Sequence, residues 1–131
     1  MFFDILKDMK IAIPCWQNIV SPVFDAAGML LLIEIAEGRE LKRTTSVLSR
    51  SDSLASVRQI VVLGADVLIC GAISGRLEFM LRSAGVQVVS NIRGAVEEVL
   101  SAFLRGALID APFLMPGCAG GRRRFRNRRG R

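Results

Sequence analysis

The spacing of apolar positions changes character along the chain, and each change predicts an element. Residues 10–14, KIAIP, form a short apolar run stopped by proline, which has no N–H to give a sheet ladder; they predict a first strand. After the loop CWQNIVSPVFDAAG, residues 29–36 (MLLLIEIA) and about 40–48 (ELKRTTSVL) flank Glu37-Gly38-Arg39. This short glycine-containing connection predicts a hairpin. The second arm alternates poorly and leaves its register open.

From residue 52 the period lengthens to that of a helix. Asp52 or Ser53 can cap a helix in which Leu54, Val57 and Val61 share a face, and Gly64 is placed to end it. DVLIC is an apolar run of strand length. Ser74 then caps a helix with Leu77, Met80, Leu81 and Ala84 at i, i+3, i+4 and i+7, closed by Gly85. VQVV is another strand of buried character. A last helix follows Gly94, with Val96, Val99, Leu100, Phe103 and Leu104 on one stripe, acidic residues in its first turn, Arg105 in its last and Gly106 beyond. The order is β-β-β-α-β-α-β-α. Residues 67–89 make a βαβ unit, whose parallel strands need a crossover helix lying on the sheet. One mixed sheet with helices on its faces follows.

Charge separates the C-terminus from this body. Seven of the eighteen Lys and Arg residues lie at Arg122, Arg123, Arg124, Arg126, Arg128, Arg129 and Arg131, and the other eleven are balanced by twelve acidic side chains. The pI of 10.2 therefore describes a tail. Ordering residues 119–131 costs about 1–2 kcal/mol each, and Phe125 returns only about 2 kcal/mol by burial, so the tail is expected to be disordered. The longest apolar stretch, IVVLGADVLICGAI, is interrupted by Gly64 and Asp66 and falls short of the roughly 20 residues a bilayer needs. MFFDILKDMK lacks the pattern of a secretion signal. Three cysteines without a regular framework fit free thiols in a reducing compartment. The expectation is a cytoplasmic protein with no membrane partner.

In open α/β sheets, ligands gather beyond the carboxyl ends of parallel strands. If the first strand runs parallel beside residues 67–70, Cys15 and Cys70 share one edge of the sheet. Gly71 removes a side chain there, and the amides after Ser74 begin a helix whose partial positive charge favours anions. Each feature also has a plain structural account. Free cysteine is among the most buried residue types, Trp16 could bury Cys15, and Cys118 could be an incidental exposed thiol. The spacing of 15, 70 and 118 matches no compact ligand motif for a soft metal or iron–sulfur cluster.

Other chemistry is poorly served. The chain has no histidine and no tyrosine, which removes the commonest general base. Asp25, Asp66 and Glu78 form no obvious metal cluster; Asp66 and Glu78 suit solvated or capping roles. GAISGR lacks the lysine of a phosphate-binding loop. The expectation is that the protein is not an enzyme.

Several segments, taken in order, resemble the dinitrogenase iron-molybdenum cofactor biosynthesis family: MKIAIP at 9–14, SPVFDAA at 21–27, GADVLICGAIS at 64–74, AGVQVV at 84–89, GAVEEVLSAFLRG at 94–106 and FLMPGC at 113–118. The resemblance covers roughly residues 9–118. It implies an α/β, ribonuclease H-like fold with a five-stranded mixed sheet and three helices, the first, fourth and fifth strands being parallel. It also implies kinship to small proteins that bind or carry precursors of the nitrogenase cofactor, and it places Ser21, Asp25, Cys70, Gly71 and Ser74 in the family's motif segments. Some members carry a histidine after the serine-proline segment; here SPVFDAAG has none, which leaves cysteine as the remaining soft ligand.

The organisation expected is an N-terminal extension (1–8), with Met9 an alternative start, a nitrogenase accessory factor-like domain (9–118) and an Arg-rich tail (119–131). Two functions follow. The first is non-enzymatic binding or carriage of an iron–sulfur or iron–molybdenum cofactor precursor, or a related metallocluster. In it Cys15, Cys70 and Cys118 are metal ligands; Cys15, Ser21, Asp25, Cys70, Gly71 and Ser74 form the binding site, and the partners are cluster donor or acceptor proteins. The second is a polyanion module in which the tail binds nucleic acid or an acidic protein. A monomer and a homodimer both remain open, because a strand edge at 40–48 has no predicted cover.

Overall fold

The computed structural model describes residues 8–49 and 51–106. The first strand, β1 (Met9–Trp16), runs through Pro14 instead of stopping at it. The reason lies in which way residue 14 faces. Its carbonyl accepts from Ser21 N at 2.9 Å, on the side away from β3, so the missing N–H removes nothing from the antiparallel ladder with β3 (Met29–Ala36). The chain then reverses at Gln17-Asn18, with Gln17 at a φ of 57°, and a two-residue strand β2 (Ile19–Val20) pairs back on β1. The sheet therefore has six strands where five were expected; β2 was hidden inside the predicted loop.

β3 and β4 (Arg39–Val47) form the expected hairpin. Its turn residues Glu37 and Gly38 both have positive φ, 54° and 77°, the arrangement that matches the twist of the flanking strands. The second arm alternates poorly because β4 is an edge strand with eight of its nine residues exposed, so no buried face imposes a period of two; a register shift also falls between Glu34 and Ile35. The helices follow: α1 (Ser53–Val62), capped by Asp52, whose carboxylate accepts from Ala55 N at 3.1 Å; α2 (Gly75–Ser83); and α3 (Val96–Arg105). Between them lie β5 (Val67–Ile69) and β6 (Gln87–Val89).

The main sheet order is β4-β3-β1-β5-β6, with β1, β5 and β6 mutually parallel and β3 and β4 antiparallel. Alternate side chains of the central strands build two separate cores. Ile11, Ile13, Leu31, Ile33, Val67 and Ile69 pack with Val96, Val99 and Leu100 of α3. Ala12, Leu30, Leu32 and Leu68 pack with Val57 and Ile60 of α1 and Leu77 and Leu81 of α2. Each fully buried aliphatic side chain contributes about 1.5–3 kcal/mol over exposure. On α1 the buried stripe passes through Ile60, and Val61, expected on that face, is 39% exposed. No helix among the described residues is long and apolar enough to cross a membrane.

Candidate functional site

The carboxyl ends of β1, β5 and β6 meet at one edge of the sheet, as the parallel β1–β5 pairing requires. The segment after β2 crosses this edge and locks onto the residues that follow β5. Ala72 N donates to Pro22 O at 2.8 Å and Phe24 N donates to Ala72 O at 2.7 Å, forming a parallel bridge between Val23 and Ala72. The crossing passes directly over Gly71, where a Cβ would stand 2.4 Å from Pro22 O and 2.5 Å from Ser21 O. Only glycine permits that approach. On its other side, Gly71 O accepts from Asn91 N at 2.9 Å and Cys70 O accepts from Ile92 N at 3.0 Å, which ties the loop after β6 to the same edge.

Five of the expected site residues, Ser21, Asp25, Cys70, Gly71 and Ser74, gather around this crossing. An Asp25 carboxylate oxygen lies 3.4 Å from Ser74 N, at the start of α2. Ser74 occupies the N-cap position, yet its side chain makes no capping hydrogen bond; the carboxylate of Asp25 faces the amide end in its place. Glu78, in the first turn of α2, pairs with Arg82 at 2.8 Å. The amino end of α2 thus already faces negative charge, which offsets the attraction expected there for an anion.

The two thiols do not converge. Cys70 belongs to the core under α1 and α2, and Cys15 to the core under α3. Ile11 pairs with Val67 and Ala12 with Leu68, so Cys15 falls level with residue 71 and not with Cys70. A one-residue offset sends the two sulfurs to opposite faces. The expected shared cavity is therefore corrected: hydrocarbon of the sheet lies between them. Cys70 is fully buried, and its thiol is pushed up to about 12 by burial first, then by the negative charges of Glu78 and Asp25. Cys15 is 7% exposed, and burial raises its thiol too. Among the described residues no three His, Cys, Asp or Glu side chains stand together as a metal site. Cys118 lies outside the described residues.

Asp66 is at the far end of the strands, where its carboxylate accepts from Lys10 N at 2.9 Å; of the solvated and capping roles open to it, it binds a strand amide. Trp16 is not itself buried beside Cys15. It is 56% exposed and sits opposite Ile19, which is 55% exposed, across the β1–β2 pair. With Val23, 43% exposed, these side chains give the edge an apolar rim. No motif marks this rim in the sequence; a tryptophan in a polar turn was its only signal.

No curated protein matches the chain. Solved structures share its fold. The crystal structure of PH0822 superposes with a TM-score of 0.71 at 22% identity, covering 75% of this chain and 90% of that one. MJ0327 of Methanocaldococcus jannaschii does so with a TM-score of 0.62 at 22% identity, over 76% and 91%. The apo form of the orange protein of Desulfovibrio gigas gives 0.62 at 19% identity, over 76% and 89%. The family model described as dinitrogenase iron-molybdenum cofactor matches residues 7–106, and the chain belongs to that family.

Proposed function

We propose that this protein binds or carries an iron–sulfur or iron–molybdenum cofactor precursor, or a related metallocluster, without catalysing a reaction on it. Membership of the family supports a cofactor-related role. The observation that carries the reading is the sheet edge itself: a backbone crossing fixed on Gly71 and, at the ends of the same strands, exposed Trp16, Ile19 and Val23. A rigid edge with an apolar rim suits a bulky, polarisable guest that must be received and given up again. The partners in this reading are the proteins that donate and accept the cluster. The ribonuclease H-like grouping belongs to the same reading, supported by the parallel β1, β5 and β6 beside antiparallel β3 and β4.

A cage of several thiolates does not fit the described residues, since Cys15 and Cys70 face apart. The cargo is therefore held at the edge by one cysteine at a time. Cys15, at the end of β1 and less deeply buried, is the first choice, and Cys118 the second. Cys70, sealed and held protonated, keeps the neighbouring loop packed. Ser21, Asp25, Gly71 and Ser74 shape the receiving surface.

Anaerobic reconstitution with ferrous iron and sulfide, followed by metal analysis and an absorption spectrum, tests this. The full chain should retain iron and a visible chromophore. Cys15→Ser should lower both, and Cys70→Ala should leave them. A chain that retains no iron under these conditions overturns the proposal.

A further inference from the structure

The two edges of the sheet are treated differently. At the β6 edge, Arg82 Nη2 donates to Val88 O at 2.9 Å, and Glu78 holds the guanidinium in place. One side chain thus covers a backbone acceptor that another strand could use. At the β4 edge, Leu48 N donates to Gly28 O at 2.9 Å. Backbone groups alternate in direction along an antiparallel pair. The N–H and C=O of Arg43, Thr45 and Val47 therefore point away from β3. Gln59 Nε2 takes the carbonyl of Val47 at 3.1 Å; no other described residue bonds to this row. The strand is nine residues long, eight of them exposed, including Leu41 at 68% and Val47 at 73%.

We infer that β4 is a self-pairing edge: a second copy of this chain adds its own β4 antiparallel to the first, about a two-fold axis at Thr44. The choice of occupant follows from charge and shape. With the axis at Thr44, Arg43 of each copy lies opposite Thr45 of the other, and their outward N–H and C=O groups exchange hydrogen bonds. Lys42 lies opposite Ser46, and the two exposed apolar side chains, Leu41 and Val47, lie opposite one another. Cross-strand apolar pairs stabilise a sheet and like charges directly opposed destabilise it. An axis at Arg43 would set two arginines face to face, and an axis at Thr45 would leave Leu41 without its partner. Strand addition of this kind takes its affinity from main-chain bonds and its register from alternate side chains. The contact lies two strands away from β1 and does not cover the carboxyl edge.

Sedimentation equilibrium of the full chain from about 1 to about 500 µM tests the assignment. It is run in about 0.3 M salt, where repulsion between the arginine-rich ends is screened. The expected result is a reversible dimer. Thr45→Pro removes an outward N–H and none that serves β3, a position where edge strands tolerate proline. Thr44→Lys places two ammonium groups on the axis without altering the backbone. Each variant should weaken association at least about tenfold. Thr44→Cys in a Cys118→Ser background should cross-link under diamide, because opposed residues of a non-hydrogen-bonded pair lie within disulfide reach. Ser46→Cys in the same background should not. A chain that stays monomeric throughout the range overturns the inference. So does a dimer that neither Thr45→Pro nor Thr44→Lys weakens, or slow hydrogen exchange at Thr45 N in the monomer, which would show the edge covered by its own chain.

Discussion

Gly71 and Pro22 are in backbone contact so close that a methyl group on Gly71 would stand 2.4 Å from the Pro22 carbonyl oxygen. The obstacle is main chain that is itself hydrogen-bonded to Ala72, so it cannot yield as a flexible side chain would. Gly71→Ala should cost about 2–4 kcal/mol of folding stability, in the range of overpacked or strained sites. Gly75→Ala is the matched control. Nothing lies within 4 Å of its Cβ position, and at the start of α2 it should be neutral or stabilising by up to about 1 kcal/mol. Urea denaturation of the two variants measures the contrast.

Cys70 predicts an alkaline limb in stability. Its thiol stays protonated in the folded chain up to about 12, whereas the unfolded thiol ionises near 9.0. Above pH 9 the native state holds the extra proton, so unfolding free energy falls as pH rises. The contribution is complete below about pH 9 and is lost progressively toward pH 12, with a slope of up to about 1.4 kcal/mol per pH unit. Cys70→Ala should flatten the profile between pH 9 and pH 11 relative to the parent chain, as followed by urea unfolding at each pH.

The separation of the thiols predicts their redox behaviour. Cys15 and Cys70 lie in cores on opposite faces of the sheet, beyond the reach of a disulfide without unfolding. Diamide treatment of the native chain should yield no Cys15–Cys70 bridge by peptide mass mapping. Labelling with a maleimide at pH 7 should modify Cys70 only at the rate of global opening, because the reactive species is the thiolate.

Arg43 bonds both Glu40 and Glu97, joining β4 to α3. The network is partly exposed, with Glu97 64% exposed, so its worth is small. Arg43→Met should cost less than about 1 kcal/mol, and the cost should shrink in about 1 M salt. Chemical denaturation at two salt concentrations reads the difference.

The arginine run at 122–131 makes a prediction of its own for the polyanion reading. Binding of the full chain to duplex DNA should weaken with salt at a slope of up to about −6 in log–log form if every arginine meets a phosphate. Removing residues 119–131 should abolish it. Fluorescence anisotropy across a salt series measures both, and binding that survives the truncation counts against a role for this segment.

Much of the fold was legible because its signals are local. The hairpin at Glu37-Gly38 and the helical stripe ending at Gly106 need only neighbours to be read. β2 escaped because two residues carry no periodicity, and β1 outran Pro14 because the direction of a missing N–H depends on which strand lies beside it. The site was legible to the same degree. Cys70-Gly71 at the end of a parallel strand marked the sheet edge that Ser21 and Pro22 cross, and that crossing gathers residues of two segments. The opposed sulfurs were hidden, since parity alone says nothing until the alignment of β1 with β5 is known.

That alignment has a corollary for redesign. β1 pairs with β5 at Ile11–Val67 and Ala12–Leu68, and beyond those pairs the Pro14 carbonyl is taken by Ser21 N while Pro22 O takes Ala72 N. The crossing chain is thus wedged between the two strand ends, so a designer who wants two sulfurs to meet at this edge has to move backbone and not merely exchange a side chain.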